Sequence, residues 1–142
     1  MTKHILVSVD LTHADDAAKL LREADRVAKT DDATLSVITV VPDYGTSFVA
    51  SFFPDGTLQK AIEATDTSLH AFVAEKLPDR TDVQHITEVG VTYERVLERA
   101  SQIPADLIIV GAHKPDLGDR LLGPNAGRIA RQARCSVMIV RF

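Results

Sequence analysis

The six residues Ile5-Leu6-Val7-Ser8-Val9-Asp10 form an almost unbroken apolar run that stops at a carboxylate. A run without regular polar alternation is typical of a strand buried on both faces, as strands are in a parallel sheet. Similar runs cover Thr34–Val41, Leu107–Gly111 and Ser136–Arg141. We therefore predict four strands of this kind. A fifth run, Val83–Val89, alternates between polar and apolar residues, which predicts an edge strand with one wetter face.

The segments between these strands have the periodicity of amphipathic helices. Apolar residues recur every three or four positions within 17–28, 58–77, 96–100 and 126–133. Thr12 and Asp15 are spaced as a capping box, which predicts that the first helix begins just after Asp10. The second helix is expected to stop before Pro78.

Strands that alternate with helices indicate βαβ units. Right-handed crossovers between parallel strands then place helices on both faces of one sheet. The chain of 142 residues has the usual size of one domain and contains no repeat or linker. We predict an α/β fold with an open, parallel, five-stranded sheet, formed by a single domain over residues 1–142.

Charge is distributed unevenly along the chain. The formal net charge is −4, with −8 in residues 1–110 and +4 in residues 111–142. The acidic bulk argues against nucleic-acid binding. The basic end is suited to a small anion, but Arg128, Arg131 and Arg134 could equally serve to stabilise the end of a helix through its dipole.

Composition also indicates the cellular compartment in which the protein is expected. The single cysteine, Cys135, excludes an intramolecular disulfide and fits a reducing environment, and we expect it to be a small core hydrophobe within a strand region. No secretory signal is evident, and no apolar stretch approaches the roughly 20 residues that span a bilayer. We expect a cytoplasmic protein without membrane insertion.

The candidate site follows from the predicted fold. Ligands of open α/β sheets bind beyond the carboxyl ends of the strands. Asp10 ends the first strand, where its carboxylate can accept hydrogen bonds from a ribose or an adenine amine, although it could instead cap the following helix. Val40 ends the second strand, where backbone groups can bind an adenine edge.

The segment after the fourth strand has the composition of a phosphate-binding turn. Because Gly111 has no side chain, a ligand can approach the backbone closely there. Gly123 precedes a helix whose first backbone N–H groups can face a phosphate. Lys114 supplies a positive charge and Asn125 supplies amide donors. The segment is not a P-loop, because the Gly-Lys-Ser/Thr ending is missing.

These features together resemble the universal stress protein family. The first strand with its terminal aspartate, the segment from Gly111 to Ala126, and the last helix and strand are all similar to that family, over residues 3–141. The resemblance implies the sheet order 3-2-1-4-5 of the adenine nucleotide alpha hydrolase-like fold. It also implies bound ATP or AMP and homodimers that often pair through the last strand. We expect that Mg²⁺ can accompany the nucleotide.

The resemblance assigns roles to ten positions. Asp10 contacts the adenine or ribose, Ser8 and Val9 line the pocket, and the Val40 backbone binds adenine. The residues that border the ribose or hold the phosphates are Gly111, His113, Lys114, Gly123, Pro124 and Asn125.

Two positions depart from the family pattern. Lys114 stands where many ATP-binding members have glycine, and Pro124 stands where Ser or Thr normally follows the late glycine. The proline removes a hydroxyl and a backbone donor together, and each lost donor to a phosphate costs roughly 1.5–3 kcal/mol. We expect binding that is weaker or shifted toward AMP.

Catalysis is not predicted, beyond slow ATP hydrolysis at most. His113 appears as the only histidine of the candidate site, and no nucleophile is spaced with it as a partner. Asp116 and Asp119 could bind Mg²⁺ or simply be solvated. The apolar segment 42–56 is a flap over the site, a surface that packs against a partner, or the start of a helix. The expected function is a regulatory nucleotide-binding module in a stress response. The alternatives are an interaction module with an empty pocket and an ATP-sensing adaptor of a membrane transporter.

Overall fold

The computed structural model describes residues 2–43, 55–113 and 122–142. Within these ranges, five strands alternate with four helices. The strands are β1 (His4–Ser8), β2 (Thr34–Val41), β3 (Gln84–Val89), β4 (Leu107–Ala112) and β5 (Ser136–Arg141). The helices are α1 (Ala14–Asp31), α2 (Thr57–Lys76), α3 (Thr92–Gln102) and α4 (Pro124–Gln132).

The strands form one parallel sheet in the order β3-β2-β1-β4-β5. The predicted α/β class and strand order are therefore confirmed. β1 lies at the centre, and the chain leaves it toward β2 on one side and returns to β4 on the other. Strand order thus reverses beside β1, which opens a crevice at the carboxyl ends of β1, β2 and β4.

Two apolar cores explain why the strands lack polar alternation. Ile5 and Val7 of β1 face α1 and α2, whereas Leu6 faces α3 and α4. All three side chains are fully buried. Since both faces are covered by helices, apolar residues are required at consecutive positions.

β3 and β5 form the two edges of the sheet. This confirms the edge position predicted from the alternating pattern of β3. Residues 137–141 of β5 are only half-buried. Cys135 lies just before β5 and is also half-buried, where burial raises the pKa of its thiol.

The capping box predicted from Thr12 and Asp15 is wrong. α1 begins at Ala14 with His13 as its N-cap residue, and no side chain caps it. The Thr12 hydroxyl instead donates to Asp10 Oδ1 at 2.6 Å.

Two polar arrangements tie separate parts of the fold together. At the amino edge of the sheet, the fully buried Ser36 hydroxyl donates to Gln84 Oε1 at 2.8 Å and lies 2.8 Å from His4 Nε2, which links β1, β2 and β3. On the α1 side, Arg80 Nε donates to Asp25 Oδ1 at 2.6 Å and fixes α1 to the segment after α2.

A membrane-spanning helix is absent from the described ranges, where none combines sufficient length with sufficient apolar character.

Candidate functional site: a cleft at the carboxyl ends of three strands

A cleft of about 1030 Å³ lies at the crevice where the strand order reverses. The ends of β1, β2 and β4, the beginnings of α1 and α4, and one side of α2 line it. Nine of the ten predicted site residues contribute to this lining: Ser8, Val9, Asp10, Val40, Gly111, His113, Gly123, Pro124 and Asn125. The tenth, Lys114, lies outside the described residues, as do Asp116, Asp119 and most of the apolar segment 42–56.

Asp10 is the centre of a small polar cluster at the start of α1. Its Oδ1 accepts from the Thr12 N–H at 3.0 Å and from the Thr12 hydroxyl at 2.6 Å, and its Oδ2 lies 3.1 Å from His13 Nδ1. Burial acts to raise the pKa of Asp10, but the hydrogen bonds from Thr12 and His13 outweigh it and leave this pKa below its usual value. The carboxylate is therefore ionised at neutral pH, held in place, and 64% exposed to the cleft.

The prediction that His113 is the only histidine of the site is wrong. His13 also lines the cleft, and the two imidazole centroids are 6.4 Å apart. Sequence spacing does not reveal this pair, because His13 follows β1 whereas His113 follows β4. The two positions become neighbours only because these strands are adjacent in the sheet.

Phe142 occupies the space that sequence analysis assigned to a ligand at Gly111. A methyl group added to Gly111 would lie 2.3 Å from Cζ of the Phe142 ring. The Phe142 N–H donates to the Ala112 carbonyl at 3.1 Å, and its ring meets that of His113 edge-on at 6.0 Å. The absence of a side chain at Gly111 thus accommodates an aromatic ring of this chain.

The beginning of α4 supplies backbone donors. Gly123 is the N-cap residue, and Pro124 is the first residue of the helix, where it has no N–H. The N–H groups of Asn125 and Ala126 belong to the first turn, which has no intrahelical acceptors for them. The Asn125 carboxamide oxygen accepts from the Tyr93 N–H at 3.2 Å, which fixes this side chain and leaves its amide nitrogen as a donor.

α2 contributes a wall that sequence analysis missed. Its cleft-facing side chains are all small and recur every three or four residues: Ala61, Ala64, Thr65 and Ser68. The same periodicity of small residues is visible in the sequence, but the sequence does not indicate that this face of the helix lines the cleft. Other lining residues that were not predicted include Leu11, Thr12, Asp16, Thr92 and Phe142.

The described residues contain no group of three or more His, Cys, Asp or Glu side chains that could hold a metal ion. What the cleft offers is an ionised carboxylate, two imidazoles, and amide donors at a helix N-terminus. This set suits a ligand that carries both hydroxyl or amine donors and anionic oxygens.

The chain matches one protein family over nearly its whole length. Residues 1–141 match the model of the universal stress protein family. Universal stress protein A homolog 1 of Coxiella burnetii is 31% identical over 140 residues, which cover 97% of this chain and 95% of that protein.

Solved structures share the fold at lower identity. A universal stress protein in complex with cAMP has a TM-score of 0.71 and 21% identity, with 98% of this chain and 97% of that chain covered. The universal stress protein from Archaeoglobus fulgidus in complex with dAMP has a TM-score of 0.65 and 19% identity, with 96% of each chain covered.

Proposed function

Because this chain belongs to the universal stress protein family, we propose that its cleft binds an adenine nucleotide and that occupancy regulates a stress response. The observation that carries the proposal is the convergence of Asp10, Val40 and the N-terminus of α4 on one cleft of about 1030 Å³. This volume is close to the upper end of the range typical of small-molecule sites.

The purine and ribose are assigned to the β1 and β2 side of the cleft. The Asp10 carboxylate accepts from a ribose hydroxyl or the adenine amine, since an ionised carboxylate can only accept. Ser8 and Val9 line this side, and the backbone of Val40 bonds the adenine edge.

The phosphates are assigned to the β4 and α4 side. The backbone N–H groups that follow Gly123 lie at the N-terminus of α4, which is the positive end of the helix dipole. The side-chain amide nitrogen of Asn125 adds a further donor. His113 borders the same region, and the family resemblance assigns Lys114, which lies outside the described residues, to the phosphates as well. We propose ATP or AMP as the ligand, with Mg²⁺ accompanying the polyphosphate.

Two relatives support the ligand class. The nucleotides in their complexes, cAMP and dAMP, share an adenine, a sugar and a phosphate. These are the three chemical groups that the two sides of the cleft are proposed to hold.

Calorimetry of the purified protein with ATP, AMP and adenosine tests the assignment. We expect heat and a raised melting temperature with ATP or AMP and weaker binding of adenosine, which has no phosphate. A cleft that binds none of the three at millimolar concentration would support the alternative of an interaction module with an empty pocket. Phe142 over Gly111 and the missing Pro124 donor favour that alternative. Recovery with a membrane transporter would support the adaptor role.

Restoring the missing donor is expected to tighten binding. In Pro124→Ser, the first residue of α4 regains an N–H and gains a hydroxyl, both next to the proposed phosphate position. One additional hydrogen bond to a charged group corresponds to about tenfold in affinity or more. Calorimetry with ATP measures the change.

The ligand without phosphate is the control for Pro124→Ser. Adenosine affinity is expected to stay unchanged in this variant. Equal gains for adenosine and ATP would place the new donor away from the phosphates and contradict the assignment.

We also propose a cytoplasmic homodimer that pairs through β5. The half-buried residues of β5 alternate between the two faces of the sheet edge, with Val137 and Ile139 on one face and Met138 and Val140 on the other. A partially apolar edge strand has unpaired backbone groups that favour association. Light scattering is expected to give twice the chain mass of 15.5 kDa, and particles of 15.5 kDa alone would contradict the dimer.

A further inference from the structure

Two histidines from different strand ends face each other across the cleft. His13 precedes α1 and His113 follows β4. Their side chains are exposed, and their rings meet at 75° with centroids 6.4 Å apart. We propose that His13 and His113 form a phosphate-binding subsite that takes up a proton when the nucleotide binds. This inference rests on the proposed nucleotide function and specifies which phosphate contacts depend on pH.

The contacts of His13 determine which of its nitrogens carries hydrogen. Nδ1 lies 3.1 Å from Asp10 Oδ2 and 3.1 Å from Thr12 Oγ1. The Thr12 hydroxyl already donates to Asp10, so its oxygen is left to accept, and a carboxylate can only accept. Nδ1 must therefore be the donor, which makes Nε2 the unprotonated nitrogen of the neutral ring.

This tautomer makes phosphate binding conditional on a proton. An ionised phosphate oxygen offers only lone pairs, and so does Nε2 of the neutral His13 ring. A hydrogen bond between them requires that Nε2 gain a proton, which converts the ring to an imidazolium. The positive charge then faces the phosphate on one side and the Asp10 carboxylate on the other.

His113 is held at the opposite wall by contacts that leave its ring nitrogens accessible. Its carbonyl accepts from Arg141 Nη1 at 2.7 Å, and its ring packs edge-on against Phe142. Within the ranges that the structure describes, neither ring nitrogen has a hydrogen bond. Rings at this separation can each turn to donate a bond of about 2.8 Å to one phosphoryl group.

Other charged groups surround the pair. Asp10 remains ionised, because its hydrogen bonds hold its pKa below the usual value. Asp16 lines the same cleft, and Lys19 approaches the Phe142 ring to 6.0 Å and donates to the Arg141 carbonyl. Lys114 follows His113 outside the described residues. The proton taken up on nucleotide binding is assigned to the two imidazoles, whose accessible ring nitrogens can bind it and then donate to the phosphate.

The test compares the wild-type protein with His13→Asn by calorimetry with ATP and AMP. Asparagine keeps an N–H donor toward Asp10 but removes Nε2. We expect the variant to bind about tenfold more weakly at pH 6 and nearly as tightly as the wild type at pH 8. Terminal phosphates of the ligand titrate near pH 6 as well. That contribution is common to both proteins and cancels in the ratio of their dissociation constants.

A second readout counts protons directly. Titrations in two buffers with different ionisation enthalpies give the number of protons taken up per nucleotide. Near pH 7 the wild-type protein is expected to take up more protons per nucleotide than His13→Asn does. His70→Asn is the matched control, since His70 lies outside the cleft, and it should behave as the wild type does.

The outcomes separate this inference from the function on which it rests. In one outcome both proteins bind nucleotide, the ratio of their dissociation constants is the same at pH 6 and pH 8, and their proton uptake is equal. This result would overturn the histidine subsite and leave nucleotide binding intact. Absence of binding at every pH would overturn both. A pH-dependent ratio that His70→Asn does not share would support the subsite.

Discussion

Gly111→Ala is expected to lower the free energy of unfolding by about 2 kcal/mol, because the new methyl group would overlap the Phe142 ring. The ring atoms Cζ and Cε2 would lie 2.3 and 2.6 Å from it, well inside van der Waals contact. A ring cannot bend away as a flexible side chain does, so either Phe142 or the end of β4 must move. Urea unfolding followed by circular dichroism measures the loss.

Two further variants isolate the cause of that loss. In Gly111→Ala with Phe142→Ala the overlap is gone, so the double variant should be less destabilised than the sum of the single variants by about 1 kcal/mol. Gly127→Ala is the matched control. Gly127 lies within α4, where the added methyl would meet only Leu122 Cβ at 3.7 Å, so alanine should be neutral or stabilising. Additive effects at positions 111 and 142 would contradict the proposed overlap.

Asp25→Ala is expected to lower the free energy of unfolding by about 3 kcal/mol at pH 7. The Asp25 carboxylate lies 2.6 Å from Arg80 Nε and 2.8 Å from Lys29 Nζ. The side chains of Asp25 and Arg80 are only 12% and 13% exposed. Removal of the carboxylate leaves the buried guanidinium with Asp82, an exposed partner at 3.4 Å.

The effect of Asp25→Ala should depend on pH in a defined direction. Burial acts to raise the pKa of Asp25, but the hydrogen bonds and charges of Lys29 and Arg80 outweigh it and hold the pKa below its usual value. A carboxyl whose pKa is lower in the folded state stabilises the protein above its unfolded pKa of about 4, and this contribution is lost as pH falls through the folded pKa. The difference between wild type and variant should therefore be constant from pH 5 to 8 and shrink below about pH 4.

Glu23→Ala provides a comparison on the same helix. Glu23 pairs with Arg26, whose side chain is 65% exposed, so its loss should cost about 0.5 kcal/mol or less. Equal losses from Glu23→Ala and Asp25→Ala would contradict the importance of burial for the Asp25 pair.

Most of the fold is predictable from the sequence for a clear physical reason. Helices on both faces of a parallel sheet require strands that are apolar at consecutive positions, and such runs stand out. The bounds predicted for β2 and β5 agree with the structure, and β4 extends one residue beyond its prediction. β1 differs because its predicted end, Asp10, belongs to the polar turn before α1 rather than to the strand.

The lining of the cleft is predictable where it depends on strand ends or on the glycine-containing segment before α4. Asp10 and Val40 follow from the rule that ligands bind at the carboxyl edge of the sheet. The start of α1 is predicted wrongly because threonine has two local alternatives at this place: its oxygen can accept from a helix N–H, or its hydroxyl can donate to the preceding Asp10 carboxylate, as it does here. His13 and Phe142 enter the cleft through the adjacency of strands that are far apart in the chain, which residue spacing does not encode.

The hydrogen bonds that link His4, Ser36 and Gln84 help to determine the register in which β1, β2 and β3 pair. A strand that is apolar on both sides gains little from one alignment over the next, because a shift by one position exchanges one aliphatic side chain for another. A buried hydroxyl without partners is costly, so only the native alignment satisfies Ser36. The residues that distinguish the correct pairing of β1, β2 and β3 thus lie near the amino ends of these strands, whereas the cleft lies at the carboxyl ends. We expect that the loops around the cleft can diverge in sequence without disturbing that register.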